Sequence, residues 1–133
     1  MKLVVDTNLL FTFFWKESLL SKLLYKEHEL LSPEFALDEL RKHKQEISRK
    51  AKLLENAFDG LLNILQEFVK FVQFIKYSDK IPEAFELLSE HPKDVDFLAL
   101  ALKFNASILS NDKELFKQSK VQIFDKSKLF ELI

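Results

Sequence analysis

The feature that most constrains the fold is a short apolar segment near the start of the chain that stops at turn residues. Lys2–Val5 is typical of a buried strand, and Asp6-Thr7-Asn8 directly after it are cap and turn residues. Similar strand segments recur at residues 29–31, 107–110 and 121–124, with helical spacing of apolar residues between them. Strands that alternate with helices predict right-handed crossovers and a mainly parallel sheet. We therefore expect an α/β fold.

The helices are predicted from the spacing of apolar residues, over 9–14, 18–25, 33–52, 53–68, 82–90, 93–104 and 126–132. Residues 70–76 are ambiguous between the end of a helix and a third strand, and their β-branched and aromatic content favours a strand. The stripe in 53–68 is wider than docking on a sheet requires, so we also expect a subunit contact there and a homodimer. Its members are Leu54, Phe58, Leu61, Leu65 and Phe68, widened by Leu53, Ala57 and Ile64.

Length and composition exclude several classes of protein. The 133 residues suit one domain over 1–133, and the absence of Cys excludes disulfide scaffolds and thiolate zinc sites. A net charge of −1 argues against binding of nucleic acid by bulk electrostatics alone. The apolar run Leu9–Trp15 lacks the form of a signal peptide and is far shorter than the roughly 20 residues of a membrane span. We expect a cytoplasmic protein without membrane association.

Acidic residues follow the predicted strands at the edge of the sheet where ligands bind, beyond the carboxyl ends of the strands. Asp6 and Asp112 follow the first and fourth strands, Glu39 lies on the helix after the second, and Asp94 and Asp96 open the helix before the fourth. Carboxylates brought together repel one another and take up protons unless a hard divalent cation neutralises them. All-oxygen ligands favour Mg²⁺ or Mn²⁺, which can activate water for phosphodiester hydrolysis.

The order of these motifs resembles the PIN domains, the fold of the toxin ribonucleases of VapC type. Val4-Val5-Asp6-Thr7-Asn8 is similar to the opening strand and acidic turn of that family, and Ser32 followed by Glu39-Leu40 resembles its second acidic position. Asp94, followed by small residues on its helix, resembles the third position. Ile108-Leu109-Ser110-Asn111-Asp112 resembles the fourth, where a strand ends in a hydroxyl residue, any residue and then Asp.

The interval of 18 residues from Asp94 to Asp112 also fits the family pattern. One departure is Asn105, which stands where the family commonly has Gly before the fourth motif. Asn tolerates the left-handed conformation of a helix end better than other non-Gly residues, so the change is mild.

The resemblance implies a three-layer sandwich around a central, mainly parallel sheet, and a Mg²⁺- or Mn²⁺-dependent endonuclease acting on single-stranded RNA. It implies metal ligation by Asp6, Asp94 and Asp112, with Glu39 as a further ligand or as the group that orients the water. Asp96 competes with Asp94 for the third ligand position, and the spacing favours Asp94. Asn8 and Ser110 are then candidates for positioning the substrate or the acids. A protein antitoxin is a candidate partner.

Each acid taken alone has a simpler interpretation, since Asp6 and Asp112 could be plain helix caps. The leading alternative function keeps the PIN-like fold without catalysis, as a scaffold or an RNA-binding subunit.

Residues 41–52 hold six Lys or Arg against one acid, Glu46. The run is either a solvated helix face or a guide for a nucleic-acid backbone, because it begins two residues after Glu39. The candidate contacts are Arg41, Lys42, Lys44 and Arg49. Trp15, Tyr25 and Tyr77 could stack on bases, but core packing is favoured for all three.

Overall fold

The computed structural model describes residues 1–16, 18–24, 26–129 and 131–132. Within them a five-stranded sheet has the order β3-β2-β1-β4-β5, and every neighbouring pair of strands is parallel. The strands are β1 (Lys2–Val5), β2 (Glu29–Pro33), β3 (Val69–Val72), β4 (Ser107–Leu109) and β5 (Ile123–Phe124). The expected parallel α/β sheet is confirmed.

Helices connect these strands. They are α1 (Thr7–Phe11), α2 (Leu19–Leu23), α3 (Glu34–Lys42), α4 (Lys44–Lys50), α5 (Ala57–Phe68), α6 (Ile81–Leu87), α7 (Pro92–Phe104) and α8 (Lys126–Leu129). Short 3-10 turns cover Thr12–Phe14, Phe74–Lys76, Ser78–Lys80 and Lys113–Lys117. Tyr25, which ends the second predicted helix, lies outside the described residues, as does Phe130 in the last one. Among the residues described, no helix is long and apolar enough to span a membrane.

Side chains alternate along the strands and divide the core into two clusters, one on each face of the sheet. Leu3 and Val5 of β1 point into a cluster that also contains Leu40 of α3 and Leu65 of α5. Val4 between them points into the opposite cluster, which includes residues from α6 and α7. Helices therefore cover both faces, and the expected three-layer sandwich is confirmed.

Several predicted boundaries are wrong. The helix predicted over 33–52 divides at His43, where φ is −97° and ψ is 18°. The next helix begins at Ala57 rather than at residue 53, because Lys52 and Asn56 adopt positive φ angles of 55° and 68°. Leu54 therefore lies before the helix, with 84% of its surface exposed.

The predicted third strand exists but is shorter than expected, since β3 ends at Val72 and a 3-10 turn follows at Phe74–Lys76. On α5 the buried side chains are Phe58, Leu62 and Leu65. Ile64 and Phe68, which the predicted apolar stripe included, are 45% and 39% exposed.

Candidate active site

An acidic cleft of about 590 Å³ lies at the carboxyl ends of the central strands. All of the acids singled out from the sequence line it, namely Asp6, Glu39, Asp94, Asp96 and Asp112. Asp6 follows β1 and Asp112 comes three residues after β4, and these two strands are direct neighbours in the sheet. The sheet topology thus brings together acids that lie as much as 106 residues apart in the chain.

Asp6 is buried, and hydrogen bonds hold both of its carboxylate oxygens. Oδ1 accepts from the backbone N–H of Asn8 at 3.1 Å, which caps α1, and Oδ2 accepts from the hydroxyl of Ser110. Burial raises the pKa of Asp6, the two hydrogen bonds oppose that rise, and the charge of Asp112 adds to it. Asp6 is therefore both a helix cap and a member of the acidic cleft.

Asp94 lies in the first turn of α7 and is only 6% exposed. The pKa of its carboxyl is raised to about 7, first by burial, then by its hydrogen bond with Asp112 and the charges of Asp112, Asp6 and Glu114. A buried carboxyl crowded by other carboxyls holds its proton to a higher pH than a solvated one does. This crowding of carboxylates is the condition that a divalent cation relieves.

Asp96 is turned towards a neighbour that the sequence did not suggest. Its Oδ2 accepts a hydrogen bond of 2.7 Å from the hydroxyl of Tyr77, which is 1% exposed. Burial and the neighbouring Asp96 raise the pKa of Tyr77. Tyr77 therefore packs in the core, as expected, and one oxygen of Asp96 is engaged.

Glu39 faces the cleft from α3 and meets His43, which also lines the cleft. The two ring nitrogens of His43 lie 3.4 Å from Glu39 and 3.4 Å from Glu46, and its ring packs edge to face on Phe11. His43 is a site residue that the sequence reasoning missed. The signal available was its position four residues after Glu39, which places both on one helix face.

The oxygen-only donor set suits a hard cation such as Mg²⁺ or Mn²⁺. Within the described ranges, no three His, Asp or Glu side chains are arranged as a ready metal-binding group. Ser110 engages one oxygen of Asp6, and Tyr77 engages one oxygen of Asp96. The residues fit a cation in chemistry and charge.

Ser110 is fully buried, and its hydroxyl also accepts the backbone N–H of Asp112 at 3.0 Å. It can therefore influence a substrate only through the two acids that it contacts. Asn8 lines the cleft and also a smaller cavity of about 220 Å³, which shares Asp6 and Asp112 with the cleft.

The basic candidates differ in their surroundings. Lys44 is bound to Asp59 of α5 at 3.1 Å, and Arg41 lies 4.0 Å from Asp38. Lys42 and Arg49 are exposed on α3 and α4. Two aromatic residues that the sequence analysis did not single out, Phe35 and Phe97, also line the cleft.

Comparisons of the chain with known proteins identify its family. A sequence profile of the PIN domain matches residues 4–126. No curated protein shows significant similarity to the chain. Among solved structures, the fold is similar to a chain in the crystal structure of VapBC2 from Rickettsia felis bound to a DNA fragment from their promoter, with a TM-score of 0.69 and 18% identity. That match covers 94% of this chain and 98% of the other.

The profile covers nearly the whole chain, including the residues after β1 and β4 that carry the predicted motifs. The structural match covers most of the chain, and at this level of identity it concerns the fold. The family expected from the four acidic motifs is confirmed: the chain belongs to the PIN domain family.

Proposed function

We propose that this protein is a Mg²⁺- or Mn²⁺-dependent endoribonuclease that hydrolyses phosphodiester bonds of single-stranded RNA. The observation that carries the proposal is the crowding of Asp6, Asp94 and Asp112 at one sheet edge, which raises the pKa of Asp94 to about 7. A fold gains no stability from burying mutually repelling carboxylates, so their presence together favours a functional role. Membership of the PIN domain family supports nuclease chemistry.

The proposal assigns the metal-binding role to Asp6, Asp94 and Asp112, with Asp96 as an additional ligand through its second oxygen. A bound divalent cation stabilises negative charge on the phosphodiester and makes water more acidic. Ser110 and the N–H of Asn8 fix the orientation of Asp6 by their hydrogen bonds. Glu39 accepts a hydrogen bond from the attacking water, and His43 restrains Glu39 on the cleft side of α3.

The nucleic-acid backbone runs, in this proposal, from the acidic cleft along α3 and α4. Arg41, Lys42, Lys44 and Arg49 are the candidate phosphate contacts. Lys42 and Arg49 are exposed, whereas Lys44 must give up its ion pair with Asp59 to bind a phosphate. We expect Lys42 and Arg49 to contribute more to binding than Lys44 does.

We further propose that the chain is one domain over residues 1–133 and acts in the cytoplasm as the toxin of a toxin–antitoxin pair. Support for a protein partner comes from the structural neighbour, which is named as a VapBC2 complex. Exposed Ile64 and Phe68 on α5 are candidates for a homodimer contact.

The decisive experiment is cleavage of an end-labelled, unstructured RNA by the purified protein with Mg²⁺, Mn²⁺ or EDTA. Asp6→Asn and Asp112→Asn replace one carboxylate each without changing its size. We expect metal-dependent cutting by the wild-type protein and a loss of at least about a hundredfold in both variants, since each removes a charged ligand. Asp79→Asn, on an acid that pairs with Lys103 away from the cleft, is the matched control.

The alternative of a non-catalytic scaffold or RNA-binding subunit predicts a different result. In that case RNA binds without being cut, and the melting temperature does not respond to Mg²⁺ or Mn²⁺. A cation that binds only the folded state must raise the melting temperature, so its failure to do so would contradict the proposed metal site.

A further inference from the structure

We propose that Phe35 stacks on a base of the nucleic-acid strand next to the phosphodiester that is cut. The inference rests on the proposed nuclease function and adds a substrate contact that the acidic motifs do not supply. Phe35 lines the acidic cleft and is 39% exposed.

The packing of α3 fixes where Phe35 points. Ala36, Leu37 and Leu40 are buried and anchor the helix against the sheet. Phe35 and Glu39 are four residues apart and therefore lie one above the other on the same helix face. Both side chains line the same cleft, so the ring lies one helical turn from the carboxylate that faces the reacting centre.

A second aromatic ring supports this position from the opposite wall. Phe97 of α7 is 5% exposed, and its ring meets Phe35 edge to face with centroids 5.5 Å apart and an angle of 74°. Phe97 comes three residues after Asp94, so the same helix turn carries an acid and the support for Phe35. The ring is thus held beside the acids while part of its surface stays uncovered.

The uncovered part of the Phe35 ring offers apolar area that a ligand in the cleft can bury. A nucleic-acid base supplies a flat apolar surface that covers such a ring, and stacking tolerates any base. Bases in a duplex are already stacked on their neighbours, so the contact requires an unpaired strand. The geometry therefore assigns the cleft to single-stranded substrate.

The test is a binding measurement in which the base and the ring are removed separately. All proteins carry Asp6→Asn to prevent cutting, and the RNA is a short unstructured strand with one abasic site moved along its length. With Phe35 in place, the protein should bind the RNA at least about fivefold more weakly than the intact strand when the abasic site stands at one particular position of the strand. Adding Phe35→Leu should weaken binding of the intact RNA by a similar factor and remove the sensitivity to the abasic site.

Phe35→Trp keeps a stacking surface, so a protein with this change should bind the intact RNA as tightly as the protein with Phe35. The matched control is Phe85→Leu, because Phe85 is 51% exposed on α6 and does not line the cleft. If Phe35→Leu fails to fold, the Phe35→Trp protein decides the matter: RNA should quench its fluorescence well beyond any change in Trp15.

Two failures can be told apart. If the Phe35→Leu protein binds the intact RNA at wild-type affinity and stays sensitive to the abasic site, the stacking contact is overturned and the nuclease proposal stands. A wild-type protein that neither binds nor cuts RNA overturns both.

Discussion

Ser110 is the residue on which the geometry of the site depends most. It donates to Asp6 and accepts from the N–H of Asp112, so one buried hydroxyl connects the acids that follow two neighbouring strands. Ser110→Ala leaves the Asp6 carboxylate without its hydroxyl partner in a buried setting. We expect a loss of about 1–3 kcal/mol in the free energy of unfolding and at least about tenfold in cleavage rate.

Chemical denaturation and single-turnover cleavage measure these two effects. Ser119→Ala, at an exposed position, provides the control. A Ser110→Ala protein that cuts RNA at the wild-type rate would contradict the positioning role.

Asp94 makes stability depend on pH in a direction opposite to that of a salt-bridged acid. The pKa of its carboxyl is raised from 3.8 to about 7, so the folded protein holds a proton that the unfolded chain has released. Stability from this group is therefore lost as pH rises from about 4 to about 7. Asp94→Asn removes the titrating group and should remove that loss.

Melting temperatures in metal-free buffer at about pH 5 and about pH 8 test the sign. The wild-type protein should lose several degrees more than Asp94→Asn between these conditions. Equal losses would mean that the crowded carboxyls do not share a proton.

At the scale of elements, α7 depends on an unusual residue at its end. Asn105 ends the helix with φ 54° and ψ 50°, in the left-handed region, as the sequence predicted for an Asn in a position that is commonly Gly. A β-branched residue is disfavoured there by about 1–2 kcal/mol. Asn105→Val should lower the free energy of unfolding by that amount, whereas Asn105→Gly should leave it within about 0.5 kcal/mol of wild type.

Urea denaturation of the two variants measures the difference. Asn105 lies at the opposite end of α7 from Asp94. Asn105→Val should therefore lower the cleavage rate only in proportion to the fraction of protein that is unfolded. A stable Asn105→Val protein would contradict the importance of the left-handed cap.

Some helices and strands were predicted from the sequence more accurately than others. β1 and α7 are predicted within a residue or two because their apolar patterns and end signals are local. The start of α5 was missed because positive φ at Lys52 and Asn56 leaves no apolar pattern to read. The break at His43 was missed because no Gly or Pro in residues 41–46 marks the end of a helix there.

At the scale of the whole molecule, a net charge of −1 conceals separate acidic and basic regions. Few phosphate contacts are available beside the cleft, so RNA affinity should fall only moderately with salt. Each phosphate contact on a single strand contributes about 0.7 to the slope of log affinity against log salt concentration. Arg49→Ala should reduce that slope by about 0.7. Lys50→Ala should change it less, because Lys50 is paired with Glu46 at 2.8 Å.

Binding titrations of one RNA at several salt concentrations give these slopes. Identical slopes for the wild-type protein and Arg49→Ala would remove α4 from the proposed path of the strand.

The positions of the acids in the cleft were easier to predict from the sequence than the ends of the helices were. The acids were found because parallel strands deliver their carboxyl ends to one edge, whatever the lengths of the intervening helices. Phe35 was not assigned to the cleft, because its contact with Phe97 joins two helices and no local pattern encodes it. The contact of Tyr77 with Asp96 likewise joins residues that lie 19 positions apart.

The position of β1 in the sheet has a consequence for synthesis of the chain. β1 pairs with β2 on one side and β4 on the other, and β4 begins only at Ser107. A nascent chain that has not yet reached that strand leaves one edge of β1 unpaired and holds Asp6 without Ser110 or Asp112. Such long-range pairing is completed late in folding. A nascent chain that ends before Asp112 therefore lacks the assembled acidic cleft, whatever the length of the part already made.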